Sequence, residues 1–113
     1  MMYANFEGLH SEVATFNCDS SVTAPGQLVK MIGSGTVGKC ISNDPPIGVV
    51  LNVRNGYAAV QIKGFVQIPH DGTLSVGYRN IAAATDKKLK LSDTTGVKRL
   101  VIESLNNVAG VLL

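Results

Sequence analysis

The sequence holds one adjacent histidine–carboxylate pair, His70-Asp71, with Ser75 a few residues on. A hydrolytic triad needs its nucleophile raised on a tight strand-to-helix elbow, and no G-x-S-x-G stretch supplies one. The eight carboxylates are Glu7, Glu12, Asp19, Asp44, Asp71, Asp86, Asp93 and Glu103. Most lie beside Gly, Ser or Pro, where short acceptors hold the local backbone in turns, so they read as turn formers rather than an acid/base pair. Gly33, Gly35 and Gly38 fit G-x-G-x-x-G, but a dinucleotide site needs that motif between a strand and a helix. Here Lys39-Cys40-Ile41 and then a proline pair follow, which makes the glycines a hairpin turn. Lys30-Met31 resembles the acceptor lysine of a swinging-arm carrier, yet it lies inside an apolar strand and not at a tip. Cys18 and Cys40 form no C-x-x-C pair, and His10 and His70 are remote from both. A metal would require four clustered ligands, or three and a water. Both cysteines are therefore expected to be buried free thiols. The reading is of a protein that is not an enzyme, with no catalytic residue, no cofactor and no metal.

Composition narrows the remaining classes. The chain has 113 residues, 45% of them hydrophobic, and its mean hydropathy is +0.21. That excludes disorder by composition and fits one domain. A β-protein this small and apolar is expected to cover part of its surface by self-association. The net charge of +2 is too small to argue for nucleic acid. Lys87, Lys88 and Lys90, with Lys98-Arg99, are not interleaved with aromatics, and they read as a solvated face. Tryptophan is absent, and the three Tyr and three Phe are scattered, unlike the clustered platform of a single-strand binder. No run approaches the roughly 20 apolar residues of a membrane span. No signal-peptide order of charged, apolar and small residues opens the sequence. The expectation is a soluble protein made in the cytoplasm, with neither nucleic acid nor membrane as partner.

The elements are all strands. Residues 45–69, PPIGVVLNVRNGYAAVQIKGFVQIP, read as two alternating strands joined at Arg54-Asn55-Gly56. Asn-Gly supplies the positive backbone dihedrals of a hairpin turn. Ala58, Val60, Ile62, Val66 and Ile68 share one parity, and Ala59, Gln61, Lys63 and Gln67 the other, as a sheet buried on one face requires. Straight, residues 57–68 would reach about 40 Å at ~3.3 Å per residue, longer than most strands. Gly64 is therefore expected to bend the strand so that it serves two parts of the sheet, as barrel corners do. Around this hairpin, residues 13–18, 28–32, 37–42, 87–91, 98–105 and 108–113 read as strands, with 73–76 weakly so. Residues 28–42 make a short hairpin. Leu89 and Leu91 are expected inward, and Asn106-Asn107 is read as a two-residue hairpin turn. Ile81 to Ala84 is too short and uncapped to be a helix. The stretches 47–51, IGVVL, and 109–113, AGVLL, echo one another; they read either as a chance match in a Val/Gly/Leu-rich chain, not a repeat, or as equivalent strands with a glycine for close backbone approach.

Residues 1–12 have no clear period, although Tyr3, Phe6 and Leu9 recur every third position. Gly8 opposes a stable helix. The segment reads either as a flexible arm that orders against a neighbour, with those three residues as its contacts, or as a frayed end. Residues 13–113 then form a single β-rich domain.

The order of these elements resembles the small capsid decoration, or cement, proteins of tailed bacteriophages. The resemblance is carried by APGQLVKMIGSG, PIGVVLNV, YAAVQIKGFVQIP, the segment from Gly72 to Gly77-Tyr78, and the closing G-V-L-L strand. It spans residues 13–113 and rests on glycine and valine spacing, not on reactive groups. It implies a barrel-like or β-tulip domain, usually a homotrimer, on the outer surface of the virion. Its implied partner is the major capsid protein, whose neighbouring subunits it would clamp. The alternative is a β-rich virion-surface or extracellular module for carbohydrate or a host protein, which calls for an exposed aromatic cluster.

Overall fold

The structure is a computed structural model and describes residues 12–113. Tyr3, Phe6 and Leu9, and with them all but the last residue of the expected arm, lie outside the described residues. Glu12, placed in the arm by the sequence reading, opens the first strand.

The described chain is all-β, with no helix. Strands β1 (Glu12–Cys18), β2 (Leu28–Gly33), β3 (Thr36–Lys39), β4 (Gly48–Arg54) and β5 (Tyr57–Lys63) close a barrel in the order β1-β3-β2-β4-β5. Antiparallel pairing of β1 with β5 closes it on one side. A short parallel seam between β1 and β3 closes the other. Strands β6 (Phe65–Pro69), β7 (Gly77–Ala83), β8 (Leu89–Leu91), β9 (Val97–Leu105) and β10 (Val108–Leu112) form a second sheet, ordered β6-β10-β9-β7-β8.

One residue separates the two units along the chain. Gly64, at φ +101°, stands between β5 and β6, in backbone space that side chains disfavour. Gln61 secures the break: its Nε2 donates to the carbonyls of Lys63 and Phe65 at 3.1 and 3.2 Å. Parity alone places Gln61 on the solvent face with Lys63, but the side chain is buried at 9% exposure. The side chain turns inward to the two carbonyls that flank the bend, and its amide meets both. The carbonyl of Gly64 accepts from the amide of Leu113 at 3.0 Å, which ties the chain's end to the same corner. Gly48 makes room for this strand, since a Cβ there would stand 2.2 Å from the carbonyl oxygen of Gln61.

The hairpin turns follow the sequence closely. Asn55 and Gly56 have φ of 53° and 78°, and Asn106 and Asn107 have 54° and 61°. Both pairs keep the two positive angles that match the twist of the flanking strands. The glycine motif over 33–38 is the β2–β3 hairpin. The echoing strands β4 and β10 pair with β5 and β6, the two halves of the bent strand.

Two cores result. Val22, Val29, Val37, Val50, Ala58 and Val60 fill the barrel. Val66, Ile68, Leu74, Ile81, Ala83, Leu89, Val101, Ala109 and Val111 line the second sheet and its cover, joined by Leu28 and Cys40 from the barrel side. Strands β2 and β4 are the shared wall. Leu28 and Val49 turn to the second core while Val29 and Val50 turn into the barrel.

Three further expectations need correcting. Leu91 is 43% exposed, because β8 is a three-residue edge strand and its last residue passes the rim of the core. Residues 73–76 are irregular rather than a strand, although Leu74 within them is buried. The strand over 37–42 stops at Lys39, where the chain turns through Ser42 and Asn43, the latter at φ +77°.

Replacing Gly64 with valine puts a β-branched side chain at a φ it resists, and should cost about 1–3 kcal/mol. Gln67→Asn, on the exposed face nearby, should stay within about 0.5 kcal/mol. Chemical denaturation of both variants checks this. Equal midpoints would show that the bend does not depend on glycine.

Candidate functional site

Of His70, Asp71 and Ser75, only His70 is buried. The ring is 6% exposed. Its Nδ1 lies 3.1 Å from the carbonyl of Gly72, and its Nε2 lies 3.2 Å from Ser104 Oγ. A carbonyl only accepts, so Nδ1 carries the proton and Nε2 accepts from the Ser104 hydroxyl. Asp71 points elsewhere, to Lys88 at 3.4 Å. Ser75 accepts from Arg79 Nε at 3.0 Å. The structure therefore divides His70, Asp71 and Ser75 among three separate contacts.

Ser104 was invisible as a partner in the sequence. It lies on β9 opposite Ala109 of β10, and only the register of the Asn106-Asn107 turn sets it on the inward face. A hydroxyl, an imidazole and an orienting acceptor are the order of an activated nucleophile. The neighbouring cleft, about 380 Å³, is lined by residues 69–72, Lys88 and residues 106–108, without Ser104. A substrate held there would meet the residues of the two turns and Lys88 rather than the Ser104 hydroxyl. The contact instead ties the 70–72 turn to β9, a join continued by His70 N–H to Asn107 O and Asp71 N–H to Leu89 O, both 2.9 Å.

The cysteines are free. Burial pushes the Cys40 thiol up to about 12, with Asp44 adding to it, so the thiolate that reacts or binds metal is suppressed. Cys18 is half-buried, not fully buried as expected, and is raised by burial first and Asp19 second. Among the described residues no group of three or more His, Cys, Asp or Glu is placed to hold a metal ion.

Two polar nodes join the barrel to the second sheet. Gln27 is 3% exposed, and its Oε1 accepts from the amides of Thr23 and Ala24 at 2.7 and 3.0 Å. Its Nε2 donates to Ser21 O at 3.1 Å and to Asp86 Oδ2 at 2.9 Å. Asp44 Oδ2 accepts from Lys30 Nζ at 2.7 Å and from the Ile41 amide at 2.9 Å. The Asp44 carbonyl accepts from the amide of Ala83 on β7 at 2.8 Å. The Lys30 hydrogen bond, then that of Ile41, hold the Asp44 carboxyl below the usual carboxylate range. The same bond raises Lys30.

The outer face of the second sheet carries a different feature. Phe65 pairs with Leu112, Leu112 with Leu100, and Leu100 with Tyr78. Paired residues share a face, so these four make one apolar row across β6, β10, β9 and β7, about 14 Å long at ~4.8 Å per strand. Phe65, Leu112 and Leu100 are half-buried, and Tyr78 is 64% exposed. The Phe65 ring lies over Gly110, where a Cβ would come within 2.8 Å of it. A second row on this face joins Pro69, Val108 and Leu105. Lys98 stands 5.7 Å over the Tyr78 ring. Among the described residues the other exposed tyrosine, Tyr57, is on the barrel.

Comparison with protein-family models, with curated proteins and with solved structures returned no match for this chain.

Ser104→Ala leaves a buried imidazole acceptor unpaired and should cost about 1–3 kcal/mol, read by denaturant titration. No loss would mean that His70 is satisfied without the hydroxyl. A carboxyl held low in the fold binds its proton more weakly folded than unfolded. The Asp44 contribution is therefore full above the ordinary carboxylate range and is lost as pH falls through and below it. Lys30 behaves oppositely, losing its contribution as pH rises through its raised value. Asp44→Asn should flatten the acid limb of melting temperature against pH, and an unchanged acid limb would remove Asp44 from that role.

Proposed function

We propose that this protein is a virion structural protein that binds the outer surface of an assembled phage capsid and clamps neighbouring capsid subunits. The observation that carries the reading is the apolar row Phe65–Leu112–Leu100–Tyr78, set on a sheet face with Pro69, Val108 and Leu105 beside it. Rigid strands displaying apolar side chains, with an exposed tyrosine at the row's end, suit protein contact better than small-molecule chemistry. The glycine and valine spacing that resembles capsid decoration proteins points the same way. It runs through β4, β5 and β6, the strands that build the bend. A homotrimer bound around a symmetry axis is the assembly this reading favours, with the major capsid protein as partner.

The action is thermodynamic. A protein that binds the expanded shell and not its dissociated subunits stabilises that shell by mass action. Copies engaging several subunits at once gain further through effective concentration. No reacting group is needed for either effect.

Co-sedimentation with expanded heads of the cognate phage tests the proposal. Binding is expected, and absence of binding would overturn it. Tyr78→Glu should weaken head binding by about tenfold or more while leaving the melting temperature unchanged. Native mass measurement should give three times the chain mass, and a strict monomer would remove the trimer from the proposal.

A further inference from the structure

On the other face of the second sheet, Arg79 of β7 stands directly opposite Arg99 of β9. The neighbouring pairs along the same face are Gly77–Val101 and Ile81–Val97, so two guanidinium stems rise between apolar pairs. Residues directly opposed in an antiparallel pair have Cβ atoms about 5 Å apart, and like charges there oppose pairing. Neither arginine is exposed; both are half-buried, which weakens the screening that would relieve them.

Among the described residues no ion pair neutralises the two. The ion pairs among the described residues are Lys30–Asp44, Lys63–Glu12 and Lys88–Asp71, and none includes Arg79 or Arg99. Arg79 spends Nε on Ser75 Oγ at 3.0 Å and Nη1 on Tyr78 O at 3.2 Å. Its Nη2 lies over Gly77, 3.7 Å from where a Cβ would be. Arg99 donates Nη1 to Lys98 O at 3.0 Å. Its Nε is buried and has no hydrogen-bond partner. A guanidinium has five donors and no acceptor, so the complement of two neighbouring ones is an acceptor-only group of negative charge.

We propose that Arg79 and Arg99 together bind an oxyanion, carboxylate or phosphate in its chemistry, through the guanidinium N–H groups that their bonds to Ser75, Tyr78 and Lys98 leave free. The anion offsets the like charge of the two opposed side chains. It comes either free from solution or as an acidic side chain of a neighbouring chain. The site lies on the face opposite the apolar row and does not rest on the capsid reading.

The test titrates inorganic phosphate into the full-length protein against chloride at matched ionic strength. It follows the Nε–H resonances of both arginines by NMR, and the native mass in parallel. Saturable, phosphate-specific shifts of both resonances are expected. Shifts at constant mass identify a free oxyanion. Shifts with dissociation identify a neighbour's carboxylate displaced by phosphate. Arg99→Lys keeps the charge but removes Nε and the planar fork, and should weaken phosphate binding about tenfold or more. The proposal is overturned if phosphate and chloride act alike on the wild-type resonances, or if Arg99→Lys binds phosphate as tightly as the wild type.

Discussion

Everything in this fold depends on how one strand passes from the barrel to the second sheet. The chain bends at Gly64, and the carbonyls of Lys63 and Phe65 flank the bend. Unanswered, such groups carry the full cost of desolvation. The Gln61 side chain answers both, and Gly48 is bare so that the Gln61 backbone fits. The barrel strand β4 and the corner glutamine are thus a matched pair.

Much of this was legible in residue type and spacing. Asn55-Gly56 and Asn106-Asn107 announced their turns because positive dihedrals leave few alternatives. Gly64 announced the bend because a strand of that length is improbable without one. What parity misjudged was Gln61, whose burial answers a local need for hydrogen bonds rather than for apolar area. Leu91 failed for a related reason: alternation says which side a residue faces, not whether anything lies there to cover it. Ser104 beside His70, and Arg99 opposite Arg79, rest on pairing across long sequence separations. Those registers are set by the whole sheet and leave no local trace.

The junction between the two units is both apolar and polar. Leu28 and Val49 give the second core its barrel side, while Gln27 and Asp44 reach across with directional bonds. Apolar area resists separation but tolerates sliding. The amide of Gln27, whose oxygen and nitrogen each meet two partners, admits one relative placement. The outer face of the sheet is thereby held in one orientation relative to the barrel, as the proposed capsid contact would need.

The barrel has two short seams, β1–β3 and β2–β4, and only the second is backed by the core it shares with the other sheet. Strands β1 and β3 meet in parallel through Asn17–Thr36 and Cys18–Val37 alone, whereas β1 and β5 share six paired positions. Opening the barrel there breaks fewer ladder positions than opening it at β5, so this edge lies toward the low end of the barrel's local stabilities. The β3 edge would exchange its amide hydrogens on a faster clock than the β5 side. Cys18, half-buried at that seam, would keep the same clock, while Cys40 in the shared core would wait for global unfolding. The barrel is closed in the way a clasp is closed, with a hinge on one side and a catch on the other.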